Sequence, residues 1–299
     1  MPRPVAQDAQ RQPRDSRKLL RNSLGDRWKS FRKRVRRGLP RRASRNEIDD
    51  AVHDLRTSAR RLLSVLESIE AVEDGNAVRR LSKRVKRILD RMSVPRDLSV
   101  EQATLSRVAG HPKTLRRFER ELDRDYRKAL QRSQRILERV GLGGLRRDKK
   151  RIARRLRRVQ AGEKSVRKDL RGAARAAFDR VRTLRASVNP NEVRTLHKMR
   201  IALKNFRYLM EAMAPLVPGA TAAALESLHA LQTTLGDLHD LEVLSGALSG
   251  HLTTGSPATP GDLSPVLLNL ESEHSGMLRS FLKSVDPILD SWDRLLSTS

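Results

Sequence analysis

The 299-residue chain has no cysteine, which removes disulfides, cysteine-based zinc sites and cysteine nucleophiles from consideration. Aromatic residues are scarce. Five Phe, two Trp and two Tyr are too few for the stacking platforms that commonly hold single-stranded nucleic acids. No stretch approaches the roughly 18 consecutive apolar residues of a membrane span. The opening segment, MPRPVAQDAQRQPRDSRK, lacks the apolar core of a secretory signal. Asp8 and Asp15 count against an Arg-rich organellar presequence. The expectation is a cytoplasmic protein of one large or two medium domains, with a core of Leu, Val, Ile and Ala.

What the chain has in excess is positive charge: 63 Lys+Arg against 35 Asp+Glu, a net of +28. Such a surplus opposes compaction by self-repulsion, so a polyanionic partner is expected. The charge is unevenly spread. Residues 1–207 hold 60 of the basic and 24 of the acidic residues, a net of +36, whereas 208–299 hold 3 and 11, a net of −8. Solubility does not require this segregation, and a coding bias toward Arg is the bland alternative; the asymmetry reads as the footprint of a binding surface.

Hydrophobic periodicity is helical almost throughout. Leu81, Val85, Ile88 and Met92 form one buried stripe by spacing, and Ile152, Leu156 and Val159 another. Breaks are expected at Gly38-Leu39-Pro40, Gly75, Pro95, Gly110-His111-Pro112, Gly141 to Gly144, Asn189-Pro190, Pro215 to Gly219 and Gly255 to Gly261. Between them lie helices of roughly 12 to 27 residues, an all-α, bundle-like inventory. Residues 1–15 read as a disordered basic tail. Residues 16–37, with Leu20, Leu24, Trp28, Phe31 and Val35, read as a basic amphipathic helix.

The chain also repeats itself. Val52-His53-Asp54-Leu55-Arg56 matches Leu196-His197-Lys198-Met199-Arg200, with Arg60 aligned to Lys204. Downstream, Pro95-Arg96-Asp97-Leu98-Ser99-Val100 matches Leu238-His239-Asp240-Leu241-Glu242-Val243. Two blocks in the same order predict a duplicated multi-helix unit, with a first half over about residues 16–190 and a second over about 191–297. On a helix, His53, Arg56 and Arg60 fall within about 60° of one another, and His197, Arg200, Lys204 and Arg207 within about 80°. Each set makes one polar stripe. A solvated face does not need a spacing, so recurrence of His-x-x-Arg-x-x-x-basic in both halves points to a site.

At these residues the sequence resembles the CHAD family, the conserved histidine α-helical domain. The motifs are VHDLRTSARRL (52–62), VPRDLSV (94–100), LHKMRIALKNFRYLMEAM (196–213) and LQTTLGDLHDLEVL (231–244), and the resemblance covers roughly residues 16–297. It implies two pseudo-symmetric four-helix-bundle-like halves around a basic central groove or cavity that binds inorganic polyphosphate, and an association with polyphosphate granules. It implies ligand contact by His53, Arg56, Arg60 and Arg61 on the first repeat helix, and by His197, Arg200, Lys204 and Arg207 on the second. Arg96 and Asp97, with His239 and Asp240, would sit at the bundle ends and set local geometry. Leu63 stands where the family usually has a further Arg, and His239 where it more often has Asn.

The chemistry suits such a ligand. A flexible phosphate chain has no bases to read, so its receptor needs guanidinium and ammonium groups fixed on rigid helices. The basic row of Arg80, Arg84, Arg87 and Arg91 extends the track, and Arg84, Arg87 and Arg96 join the expected contacts. Arg151, Arg154, Arg155 and Arg158 form another basic stripe, within a 113–187 segment of 27 basic and 9 acidic residues. Non-specific nucleic-acid binding is the main rival. A metal-dependent polyphosphate-processing enzyme is another, but Gly141-Leu142-Gly143-Gly144 leads into Leu-Arg-Arg, unlike a P-loop. His197, His229, His239 and Asp240 form the sharpest metal alternative, yet no two strong ligands share a helical face. No catalytic residue, metal or cofactor is therefore expected.

Overall fold

A computed structural model describes residues 15–109, 115–190, 192–253 and 260–297. Every regular element among these residues is a helix, so the all-α expectation holds. Ten α-helices follow in order: α1 (Ser16–Arg37), α2 (Arg45–Val72), α3 (Asn76–Arg91), α4 (Ser93–Ala109), α5 (Arg116–Glu138), α6 (Leu142–Arg158), α7 (Glu163–Ala186), α8 (Val193–Met213), α9 (Ala222–Thr253) and α10 (Pro260–Ser297). A short 3-10 helix, Ala214–Leu216, joins α8 to the turn before α9. The expected tail lies outside the described residues up to position 14, as do the break expected at 110–112 and residues 255–259 of that expected at Gly255 to Gly261, whose last two residues already belong to α10. No helix among the described residues is long and apolar enough to cross a membrane.

Local sequence explains most boundaries. Asp15 accepts a hydrogen bond from the Lys18 amide at 2.9 Å and starts α1, whose Leu20, Leu24, Trp28, Phe31 and Val35 are all buried. Gly38, at φ 66°, ends it. Ser44 and Glu47 form a capping box on α2. Gly75 and Gly141 are the N-caps of α3 and α6. Pro95 does not break the chain as expected. The break is at Met92, and Pro95 lies in the first turn of α4, where an amide has no intrahelical partner to lose. The C-terminal helices outrun the expected lengths: α9 has 32 residues, and α10 has 38 with Pro265 and Pro287 inside it. Leu270, Leu278, Phe281, Val285, Leu289 and Trp292 keep burying one face of α10 past both prolines.

The repeated blocks meet in space. Helix α2 packs on α8, and α4 on α9. One continuous apolar core includes Leu55, Leu62 and Ile69 of α2, Leu203, Phe206 and Met210 of α8, and residues from seven other helices. Phe206 stacks obliquely on Phe178 of α7 at 5.4 Å and edge-on against Trp292 of α10 at 5.5 Å. A smaller cluster, including Leu105, Phe118, Leu122, Leu241, Leu244 and Leu270, holds α4, α5, α9 and α10 together. Along the outside, α7 and α10 run antiparallel and are joined by Arg175–Asp293 (2.6 Å), Arg182–Asp290 (2.6 Å) and Arg185–Asp286 (2.8 Å).

Candidate functional site

In α2, Val52, Leu55, Ala59 and Leu62 face the core, and His53, Arg56 and Arg60 occupy the neighbouring stripe. In α8, Leu196, Met199, Leu203 and Phe206 are buried, with His197, Arg200 and Lys204 beside them. Because the two helices pack on each other, the stripes lie side by side, close enough for Arg60, Arg200 and Arg56 to act on Lys204. Helix α4 adds Arg96 and Asp97, and α9 adds His239, Asp240 and Glu242. Arg56 is 7% exposed. It donates to the Ser93 hydroxyl, and its Nη2 lies 3.9 Å from Asp97 Oδ1. The rings of His197 and His239 stand 5.0 Å apart.

The electrostatics show cations outnumbering their counter-charges. Burial, with Arg60, Arg200 and Arg56 nearby and only Asp97 opposing, lowers Lys204 from 10.5 to about 7. Burial and then Arg60 lower Arg56 to about 10, with Arg96 and Arg200 adding to the effect and Asp97 resisting it. Arg200 is lowered by burial, against the attraction of Asp240. His53 is lowered by desolvation and by Arg96, Arg60 and Arg56, with Asp54 opposing. His197 is lowered by desolvation and by His239, Arg200 and Lys204. Burial raises Asp240 despite Arg200. For Glu242, burial is outweighed by the flanking His239 and His274 imidazoles, which hold its carboxyl below the ordinary range; His274 Nε2 is 3.2 Å from Glu242 Oε1. Basic groups desolvated and crowded in this way are prepared for an external anion.

Seven of the eleven expected ligand contacts therefore gather at one place: His53, Arg56, Arg60, Arg96, His197, Arg200 and Lys204. The other four lie elsewhere. Arg61 and Arg207 are engaged by Glu211, with Arg61 Nε at 3.5 Å. Arg207 is 8% exposed, donates to Gln232 Oε1 at 2.7 Å and covers the Tyr208 ring at 4.3 Å. These two arginines tie α2, α8 and α9 together. Arg84 and Arg87 line a separate cavity between α3, α5 and α6, to which no residue of the α2/α8 cluster contributes.

Sequence reasoning passed over Ser93 and the Glu242–His274 contact. The i, i+3 spacing of His239 and Glu242 on α9 was the available signal for the latter. Arg96, Asp97, His239 and Asp240 border the cationic cluster directly. His229 is exposed, nearly three turns before His239 on α9. Among the described residues no three His, Asp or Glu side chains are grouped to hold a metal ion.

The CHAD domain family model matches residues 29–249. Over 94% of each chain, the fold is similar to the crystal structure of the CHAD domain from the plant Ricinus communis, with 18% identity and a TM-score of 0.71. It is also similar to PptA from Streptomyces chartreusis, with 18% identity and a TM-score of 0.57 over 93% of this chain and 99% of that one. No curated protein matches the chain. With its motifs, its helical fold and the family match over most of its length in agreement, the chain belongs to the CHAD domain family.

Proposed function

We propose that this protein binds inorganic polyphosphate at the α2/α8 groove without altering it chemically, in the cytoplasm and on polyphosphate granules. The observation that carries the reading is the burial of Lys204 among Arg60, Arg200 and Arg56, which together bring it to about 7. A chain bearing a negative charge on every phosphate relieves that crowding along its whole bound length. Bidentate guanidinium–phosphate bonds add direction to the attraction. The carboxylates Asp97 and Glu242 beside the cluster already have partners: Asp97 faces Arg56 and Glu242 faces the imidazoles of His239 and His274. This favours holding a phosphate chain over assembling a magnesium-dependent centre to cut it.

The deciding experiment titrates defined-length polyphosphate at two salt concentrations against duplex DNA matched in charge. Polyphosphate should bind more tightly at both, and both affinities should fall with salt through counterion release. Incubation with Mg²⁺ should leave chain length unchanged. DNA that displaces polyphosphate at equal charge concentration would move the function to general polyanion binding.

Binding should also take up protons. Free Lys204 is partly deprotonated near pH 7, and a bound polyanion raises its pKa. His53 and His197, both lowered in the free protein, shift in the same direction. Affinity is therefore expected to rise as pH falls from about 8 to about 6. Calorimetry in buffers of different ionisation enthalpy would show the uptake; an enthalpy independent of buffer at pH 7.5 would exclude it.

A further inference from the structure

The cavity between α3, α5 and α6 measures about 600 Å³, within the range of small-molecule sites. A second cavity of about 310 Å³ adjoins it and shares Arg87, Arg91 and Ile136. The floor of the larger one is aliphatic, built from Ile88, Ile136, Val140 and Leu145, with Arg84 and Arg139 beside it. The Ser133 hydroxyl donates to the Arg91 carbonyl at 2.9 Å and ties α5 to α3 beneath the shared wall.

One of these arginines is built into place. Asp148, 4% exposed, lies 3.4 Å from Arg84 Nη1 and 3.1 Å from Arg80 Nη2. The Arg84 guanidinium fills space that a side chain at Gly144 would need, since a Cβ there would stand 2.6 Å from Nη1. Arg87, Arg91 and Arg139 form no ion pair among the described residues. The groove thus combines an apolar floor with guanidinium groups free to take an anion.

A bare phosphate chain gains nothing from the aliphatic floor, and an uncharged ligand leaves Arg87 and Arg91 without an anion. We propose that this groove binds a nucleoside di- or triphosphate, its base on Ile88, Ile136, Val140 and Leu145 and its phosphates against Arg87 and Arg91. Arg84 and Arg139 flank the base, where guanidinium planes can stack on its faces. The groove is open along one side, which suits a flat ring better than an alkyl chain that needs enclosure. No side-chain amide, carboxylate or hydroxyl lines the larger cavity, so adenine and guanine should be accepted alike. The site is separate from the α2/α8 cluster and does not depend on the polyphosphate reading.

The test uses the full chain carrying Arg56→Ala and Arg200→Ala, which weakens competing anion binding at the α2/α8 cluster. ATP, GTP and inorganic triphosphate are titrated into it by calorimetry. ATP and GTP should bind with similar Kd, about tenfold or more tighter than triphosphate. Adding Arg87→Ala and Arg139→Ala should weaken both nucleotides about tenfold or more with helix content unchanged. Gly144→Val, which collides with the Arg84 guanidinium, should weaken them as well. Triphosphate binding as tightly as ATP, or nucleotide affinity indifferent to the loss of Arg87 and Arg139, would overturn the assignment.

Discussion

Replacing His53, Arg56, Arg60, His197, Arg200 and Lys204 together with alanine should lower affinity for long-chain polyphosphate about a thousandfold or more at low salt, with helix content retained. Each charge-assisted hydrogen bond to phosphate contributes about 1.5–3 kcal/mol, and a thousandfold corresponds to about 4 kcal/mol. Even with strong non-additivity among neighbours, losing six basic groups exceeds that. The same substitutions should raise the stability of the unliganded protein. Lys204 has a folded pKa of about 7 against an ordinary 10.5, so the folded state disfavours its charged form. That cost is complete below about pH 7, shrinks as pH rises toward 10.5, and is absent above it. The gain in Tm over the parent chain should therefore be larger at pH 6 than at pH 9. Unchanged affinity would move the polyphosphate site to the basic helices of residues 113–187, or to no defined site.

Phe206→Ala should cost about 3–5 kcal/mol of folding stability, a large fraction of the roughly 5–15 kcal/mol that holds a domain together. The ring is fully buried and joins three helices, resting on Phe178 of α7 and Trp292 of α10. None of the three can move into the vacated volume without breaking its other contacts. Urea unfolding should show a lower midpoint at unchanged slope. Because Lys204 stands two residues earlier on α8, polyphosphate affinity should weaken too, from loss of rigid placement rather than loss of charge. A stability loss below about 1 kcal/mol would mean that the aromatic contact lies outside the cooperative core.

How much of this was legible in the sequence depended on whether a feature was local. The α1, α3 and α6 faces follow directly from stripes such as Leu81-Val85-Ile88-Met92. The repeat identified α2 and α8 as a related pair, and their contact brings six of the eleven named residues together, with Arg96 of α4 beside them. Periodicity says which face of a helix a residue occupies, but not which neighbour that face meets. Arg84 and Arg87 share a stripe on α3, yet their surroundings come from α5 and α6. Arg207 sits at the edge of its stripe, and Glu211, four residues on, captures it together with Arg61. Pro95 was the misleading signal, and Pro287 lies inside α10 without ending it. A proline is tolerated in a first turn, and burial on both sides of one can hold a long helix continuous.

The three ion pairs between α7 and α10 have a consequence unrelated to adhesion. Their side chains are partly solvent-exposed, and such pairs contribute about 1 kcal/mol or less each. Their value is as a registration key. Helix α10 is long, carries an apolar stripe along most of its length and contains two prolines, so a slide of one helical turn, about 5.4 Å, would still bury apolar residues. That slide would bring aspartates opposite only two of Arg175, Arg182 and Arg185 and leave the third without one, so only the native register pairs all three. The charges count the turns where the hydrophobic stripe cannot, and so fix which residues of α10, Trp292 among them, arrive behind α8.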